Sequence, residues 1–423
     1  MWLFLKLYYR RTVLIGLAFL SISAFWQMYD TIVPLILRDT FSLGDSVSGV
    51  IMAMDNVLAL FLLPVFGRLS DRCNTPIGKR MPFIICGTAL AVILQLLMPV
   101  ANVPGRLALF AVLLGLLLIS MGTYRSPAVA LMPDVTPKPL RSKANAIINL
   151  MGALGGVFSL LIIKVLTAGG STNYTPIFYA VAAFMACAVI ILVIFVRENK
   201  LRALVGNDEE EDEAKAPGGR LPRDMKRSLA LILCSVSLWF MGYNAVTTAY
   251  SKYFTRMWGD LSGAASCLMI ATVGAVISYI PVGIISSKIG RKRMILIGVA
   301  ILASSFAFAA TVTVFTPFVY ALFVIIGFAW AAINVNSYPM VVEISRCGDI
   351  GKYTGLYYTF SMSAQILTPM LSGWLLEHVG YHTLFPYAAI MVACAFVTMS
   401  FVRHGDNRPE QKKSLLEHLD VDD

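Results

Sequence analysis

The segment SISAFWQMYD at residues 21–30 recurs 214 residues later as SVSLWFMGYN at residues 235–244. Two serines, an adjacent pair of aromatic residues and a tyrosine occupy matching positions in both copies. The copies end differently, because Asp30 of the first is replaced by Asn244 in the second. A repeat at about half the length of the chain indicates that one structural unit was duplicated and that only the first copy kept the charge.

The sequence around both copies is apolar. Hydrophobic residues make up 58% of the 423-residue chain and charged residues 14%, whereas soluble domains carry about 25% charged residues. Twelve apolar blocks have the length that spans a bilayer, and in lipid each must satisfy its own backbone as an α-helix. The composition predicts an all-α membrane protein with twelve transmembrane helices in two pseudo-symmetric six-helix bundles. The blocks cover 12–37, 47–67, 81–101, 107–131, 144–167, 174–196, 228–251, 262–285, 294–315, 316–342, 353–376 and 383–402.

The repeat extends into the loops. FGRLSDRCNTPIGKR at 66–80 follows the second block, and VGIISSKIGRKR at 282–293 follows the eighth. Between the halves, NDEEEDEAKAPGGRLPRD has an acidic run followed by Pro and Gly, which is typical of a solvated loop. The predicted organisation is an N-terminal bundle over 1–200, a cytoplasmic linker over 201–226, a C-terminal bundle over 227–403 and a cytoplasmic tail over 404–423.

Lysine and arginine placement predicts the orientation. If both termini are cytoplasmic, the inside segments hold 28 of the 34 basic residues and the outside segments hold five, as the positive-inside rule requires. The net charge of +10 then faces an anionic inner leaflet and needs no nucleic acid. We expect a multi-pass protein of the plasma membrane, or of the inner membrane of a bacterium.

The loop after the second block resembles that of a known family. It reads Gly67-x-x-x-Asp71-Arg72, and after five further residues it continues with Gly78, Lys79 and Arg80. Together with twelve helices in two halves, this motif resembles the major facilitator superfamily over the whole chain. The long spacing before Gly78, and Pro64 three residues before Gly67, are similar to the glycoside–pentoside–hexuronide cation symporters and the related sucrose transporters.

Two departures limit what the resemblance implies about substrate and ion. The melibiose-type members carry two carboxylates one turn apart, but Ala59 and Leu63 stand at those positions, so their sodium site does not carry over. The sucrose-type members have an arginine two residues after the proline of the fourth helix. That position is Val129 here, and an arginine, Arg125, precedes the proline instead.

Three charges lie clearly inside predicted spans, away from their ends, and all belong to the first half: Asp30, Asp55 and Arg125. A charge at the centre of a membrane helix costs about 3 kcal/mol or more, so such residues are functional by default. Two carboxylates and one guanidinium leave one negative charge, which a proton or small cation could neutralise. We therefore predict a cation-coupling site, with a purely structural Asp55–Arg125 pair as the alternative.

The repeated segments supply the candidates for substrate binding. In the family, the first and seventh helices line the central cavity, where aromatic faces and hydroxyls suit a sugar. Aromatic packing between helices is the alternative, and polar residues also join membrane helices together. The predicted substrate-binding residues are Trp26, Gln27, Tyr29, Asp30, Arg125, Asn149, Trp239, Tyr243, Asn244, Asn334, Asn336 and Gln365, with Thr31 as a further candidate.

The loop residues Gly67, Asp71, Arg72, Gly78, Lys79 and Arg80 are predicted to form a gate. Gly67 would allow close helix approach. Asp71 would accept hydrogen bonds from the N–H groups at the start of predicted helix 11, where the helix dipole favours an anion. For Lys79 and Arg80, plain positive-inside charge is the favoured interpretation.

No catalytic motif, cofactor motif or metal site is predicted. His378 and His382 are four residues apart, but Gly380 lies between them and a third ligand is missing. The favoured function is a monomeric secondary active transporter that works by alternating access. It would be a proton-coupled symporter of a sugar or glycoside, with another monovalent cation as the alternative coupling ion. An exporter of drugs or metabolites and a non-transporting membrane receptor or scaffold are the alternatives.

Overall fold

A computed structural model describes residues 9–136, 141–168, 173–205, 222–259, 261–344 and 350–405. The elements of this part of the chain are helical. They are α1 (Tyr9–Asp39), α2 (Asp45–Arg72), α3 (Met81–Ala101), α4 (Leu107–Asp134), α5 (Arg141–Leu166), α6 (Thr175–Phe195), α7 (Glu198–Val205), α8 (Arg223–Met257), α9 (Leu261–Ile289), α10 (Arg291–Ala309), α11 (Phe318–Ile344), α12 (Ile350–His378), a 3₁₀ turn (Tyr381–Thr383) and α13 (Leu384–Ser400).

Twelve of these helices are long, and each coincides with one predicted apolar block, so the predicted fold class is confirmed. Eleven are long and apolar enough to cross a membrane by length and composition alone. The twelfth long helix is α12, which corresponds to predicted helix 11. Several helices continue past their apolar blocks; α8, for example, runs for 35 residues.

The described residues form two compact units. The first contains 9–43, 54–136, 141–168, 173–205 and 261–269, and the second contains 44–53, 222–259, 270–344 and 350–405. Helix α2 therefore begins in the second unit and continues in the first. In the first unit, α1 packs along α5 and α6, and α3 packs between α4 and α6.

The second unit repeats this packing pattern. Helix α8 packs along α12 and α13, and α10 packs between α11 and α13. Each partner helix is the one that the duplication assigns, since α1 matches α8, α3 matches α10 and α4 matches α11. The two bundles are thus pseudo-symmetric copies, as the repeat of residues 21–30 indicated.

The predicted linker and tail lie mostly outside the described residues, which omit 206–221 and 406–423. At the start of that linker the structure has a short helix, α7, that the sequence did not predict.

Candidate functional site

Helix α1 carries three of the predicted site residues on one face. Trp26, Tyr29 and Asp30 follow the i, i+3, i+4 spacing that aligns side chains on a helix. The half-buried Trp26 ring is met edge-on by Phe25, with ring centroids 5.2 Å apart, and by Tyr29, with centroids 5.5 Å apart. Because Phe25 and Tyr29 are fully buried, the cluster holds Trp26 in place.

Helix α4 places Arg125 against this cluster. The guanidinium carbon of Arg125 lies 5.7 Å from the centroid of the Trp26 ring, within the distance of a cation–π interaction. Asp55 on α2 lies close enough for its charge to interact with those of Arg125 and Asp30. The structure therefore brings the three charges predicted from the sequence together within the first unit.

Only some of the polar groups around these charges have a hydrogen-bond partner among the described residues. Asp55 Oδ1 accepts a hydrogen bond of 2.7 Å from Asn56 Nδ2. The Tyr29 hydroxyl and Trp26 Nε1 are buried, and neither has a hydrogen-bond partner among the described residues. Because the cluster has two carboxylates and one guanidinium, one carboxylate is left that could bind a proton. The Tyr29 hydroxyl and Trp26 Nε1 could donate hydrogen bonds to a polar ligand.

The second unit has aromatic rings in place of these charges. Tyr243 on α8 stacks on Trp330 of α11, with centroids 3.7 Å apart and planes inclined by 5°. Phe240 meets the same Trp330 edge-on at 5.4 Å. Asn244 Nδ2 is buried and has no partner among the residues that the structure describes. The sequence reasoning missed Trp330, although it lies one turn before the candidate Asn334.

The remaining substrate candidates differ in their surroundings. Trp239 is completely buried. Gln27 Nε2 donates to Thr31 Oγ1 at 3.3 Å, and Asn336 Nδ2 donates to the carbonyl of Ala332 at 2.9 Å, so both amides bond within their own helices. The other amide-bearing candidates are the buried Asn334 and the half-buried Asn149 and Gln365. Their substrate roles stay predictions.

The predicted gate residues lie around one buried arginine. The Arg80 side chain is only 7% exposed, and its Nε donates to Asp134 at 2.8 Å. Its other nitrogens donate to Asp71, to Ser70 and to the carbonyl of Gly67. The sequence favoured plain surface charge for Arg80, but the structure makes it the centre of an ion-pair network.

This network changes the proton affinity of Arg80. Burial alone would lower the pKa of the guanidinium. The hydrogen bond and charge of Asp134, followed by those of Asp71, outweigh burial, and together they raise the pKa of Arg80 above its usual value. Arg80 is therefore a permanent charge that ties the ends of α2 and α4 to the start of α3.

A glutamate that the sequence did not suggest fixes the rest of this loop. Glu198 at the start of α7 is fully buried and accepts hydrogen bonds of 2.8–3.1 Å from the backbone N–H groups of Lys79, Arg80 and Met81. Gly78 has φ +137°, and a Cβ there would collide with Glu198. Only glycine fits this position without strain. Arg72 is exposed and Lys79 is half-buried.

A second buried ion pair lies in the second unit. Lys252 Nζ donates to Asp45 Oδ1 at 2.6 Å, and both side chains are less than a tenth exposed. The backbone N–H of Ser46 also donates to Glu377 at 2.7 Å. The sequence placed Lys252 in an outside segment and suggested no partner for it. No local pattern signals a pair between residues that lie 207 positions apart.

Comparisons with known proteins agree with this architecture. The family model described as Major Facilitator Superfamily matches residues 15–265 and 253–419. Sucrose transport protein SUT3 from Oryza sativa subsp. indica is 24% identical over 211 residues, or 42% of each chain. Tetracycline resistance protein, class H, from Pasteurella multocida is 23% identical over 260 residues, or 60% of each chain. This chain thus matches less than two thirds of the length of either relative.

The fold itself has solved counterparts. The crystal structure of the nucleoside transporter NupG superposes with a TM-score of 0.67 at 17% identity, covering 93% of this chain and 99% of that one. The family model matches nearly all of the sequence, and the two units repeat one helix-packing pattern. The Arg80 network follows α2, where the family motif was recognised in the sequence. This chain belongs to the major facilitator superfamily.

Proposed function

We propose that this transporter is a proton-coupled symporter of a sugar or glycoside that works by alternating access. The observation that carries the proposal is the cluster of Asp30, Asp55 and Arg125 inside apolar helices of one unit. Ionisable residues within a membrane usually mark an ion path. Asp55 is the proposed proton carrier, because Arg125 is its charge partner.

The proposed substrate class depends on the aromatic groups. In the first unit the half-buried Trp26 offers a ring for the C–H face of a sugar, and in the second unit Tyr243 and Trp330 do so. The Tyr29 hydroxyl and the Asn244 amide, which have no partner among the described residues, are the donors proposed for its hydroxyls. The likeness to a sucrose transport protein supports a sugar. We also propose a plasma-membrane location with both termini cytoplasmic, and a monomer.

The coupling role can be tested with Asp55→Asn in proteoliposomes. A neutral amide resembles the protonated acid, so the variant should bind and exchange substrate but lose accumulation driven by a pH gradient. A thermal-shift panel of sugars at two pH values would first identify the substrate. Asp39→Asn is the matched control, because Asp39 lies exposed at the end of α1, beside Arg38. Full gradient-driven accumulation by Asp55→Asn would remove Asp55 from the coupling role.

A proton-coupled exporter is the second candidate, and the likeness to a tetracycline resistance protein favours it. The direction of the gradient separates the two. A symporter accumulates substrate in vesicles when the outside is acidic, whereas an antiporter accumulates it when the lumen is acidic.

A further inference from the structure

Arg125 has an aromatic neighbour as well as charged ones. Its guanidinium carbon lies over the Trp26 ring at 5.7 Å. Phe25 and Tyr29 meet that ring edge-on and are themselves buried, so the Trp26 face has a fixed place in the first unit. A ring face that a cation occupies is less available to stack on a sugar.

The charge of Asp55 acts on Arg125, and it also acts on the second carboxylate of the cluster, Asp30. Helix α2 brings Asp55 and α1 brings Asp30, and the charges of both also act on the Tyr29 hydroxyl. The neighbouring helices α3 and α6, and the stretch 144–163 of α5, contain no Asp, Glu, Lys, Arg or His. Among its partners, Arg125 has the Trp26 ring face on one side and the Asp55 carboxylate on the other, and Asp55 in turn interacts with Asp30.

We propose that Trp26 is a positioning residue for Arg125, and that its main task is to set how strongly the guanidinium neutralises the carboxylates. The attraction between the ring face and the cation holds Arg125 back from full pairing with them. This inference rests on the proposed coupling role of Asp55, and it changes the role that the sequence suggested for Trp26.

A change in proton binding follows from this arrangement. Without the ring face, the attraction of Asp55 and Asp30 draws the guanidinium closer to the carboxylates. A closer cation stabilises their charged forms, so protons bind at lower pH. If the energy of an ordinary cation–π interaction is transferred to the pairing of Arg125 with the carboxylates, the midpoint of proton binding shifts by about half a pH unit to one unit.

The test is a pH titration of the carboxyl C=O band by infrared spectroscopy on the purified full chain in lipid. Asp55→Asn and Asp30→Asn assign the band. Trp26→Leu removes the ring face, and Trp26→Phe keeps a weaker one. Phe110→Leu is the matched control, because it removes a buried ring of the same unit that packs on Phe41.

We expect the band midpoint to fall by about half a unit to one unit in Trp26→Leu. It should fall by less in Trp26→Phe and stay unchanged in Phe110→Leu. If Trp26→Leu fails to fold, the smaller fall of the band midpoint in Trp26→Phe still tests the inference. An unmoved midpoint in the Trp26 variants, or an equal shift in Phe110→Leu, would overturn the inference.

Transport separates this inference from the proposed function. In proteoliposomes, the pH profile of gradient-driven uptake should move with the infrared midpoint, while the KM at saturating proton concentration changes little. A KM that rises at every pH with a fixed midpoint would show that Trp26 is a stacking platform instead. Absence of gradient-driven uptake in the wild-type protein would refute the proposed function, whereas the infrared titration would still test Trp26.

Discussion

Glu198 shows how one side chain organises a loop. The α2–α3 loop is longer than its repeat in the second unit, and its residues 73–80 form no helix. The carboxylate of Glu198 accepts three consecutive N–H groups at the start of α3. Asn199 donates from the next position to the carbonyls of Thr75 and Pro76. Two adjacent residues of α7 thus hold the middle of the loop and its junction with α3.

Replacing Glu198 with Gln should destabilise the protein. The amide keeps the size of the side chain but brings an NH₂ group against N–H donors, and a hydrogen bond to a charged group contributes about 1.5–3 kcal/mol. We expect a lower midpoint of thermal unfolding in detergent. Asp224→Asn is the control, because Asp224 is exposed in the first turn of α8. Equal midpoints for the two variants would show that Glu198 contributes no more than a surface carboxylate.

At the scale of the helices, α1 and α5 approach closely along their lengths. A Cβ added at Gly155 of α5 would collide with the backbone carbonyl of Leu20 in α1. Small residues allow such contacts between membrane helices, where packing replaces the hydrophobic effect as the driving force. This contact holds α1, and with it Trp26 and Asp30, in place.

Gly155→Ala should therefore lower the free energy of unfolding, because a backbone atom cannot move aside as a flexible side chain can. Overpacking typically costs about 1–3 kcal/mol. Gly115→Ala in α4 is the matched control, since a Cβ there meets nothing within 4 Å and alanine favours a helix by about 1 kcal/mol. Thermal unfolding of both variants would measure the difference. A Gly155→Ala variant as stable as Gly115→Ala would contradict the close approach.

At the scale of the molecule, the duplication preserved the helix packing and changed the chemistry. Helices α1 and α8 have equivalent partners in their units. The first unit holds Asp30, Asp55 and Arg125 inside its helices, whereas Asn244 takes the place of Asp30 in the second. Under the proposed function, ion coupling therefore belongs to the first unit.

The orientation of the whole chain can be tested with single cysteines in a cysteine-free background. Ile77 and Val103 are 51% and 42% exposed, in loops at opposite ends of α3. The positive-inside rule puts Ile77 in the cytoplasm and Val103 outside. A membrane-impermeant maleimide should label Val103→Cys in intact cells and Ile77→Cys only after lysis. The reverse pattern would invert the proposed topology.

The sequence by itself determined the number and kind of the long helices. An apolar block of about twenty residues has one way to satisfy its backbone in lipid, and that way is local along the chain. The repeat likewise identified the two bundles, and the rarity of intramembrane charge selected Asp30, Asp55 and Arg125. These inferences needed no knowledge of which helices are neighbours.

Only the tertiary structure decided which side chains meet. It showed Arg125 over Trp26, Trp330 on Tyr243, Lys252 against Asp45 and Glu198 on the start of α3. These partners come from different helices, and some are more than a hundred residues apart. In a membrane protein the lipid-facing side of a helix is as apolar as its packed side. The sequence of one helix therefore cannot show which face it buries, and contacts between distant helices settle that choice.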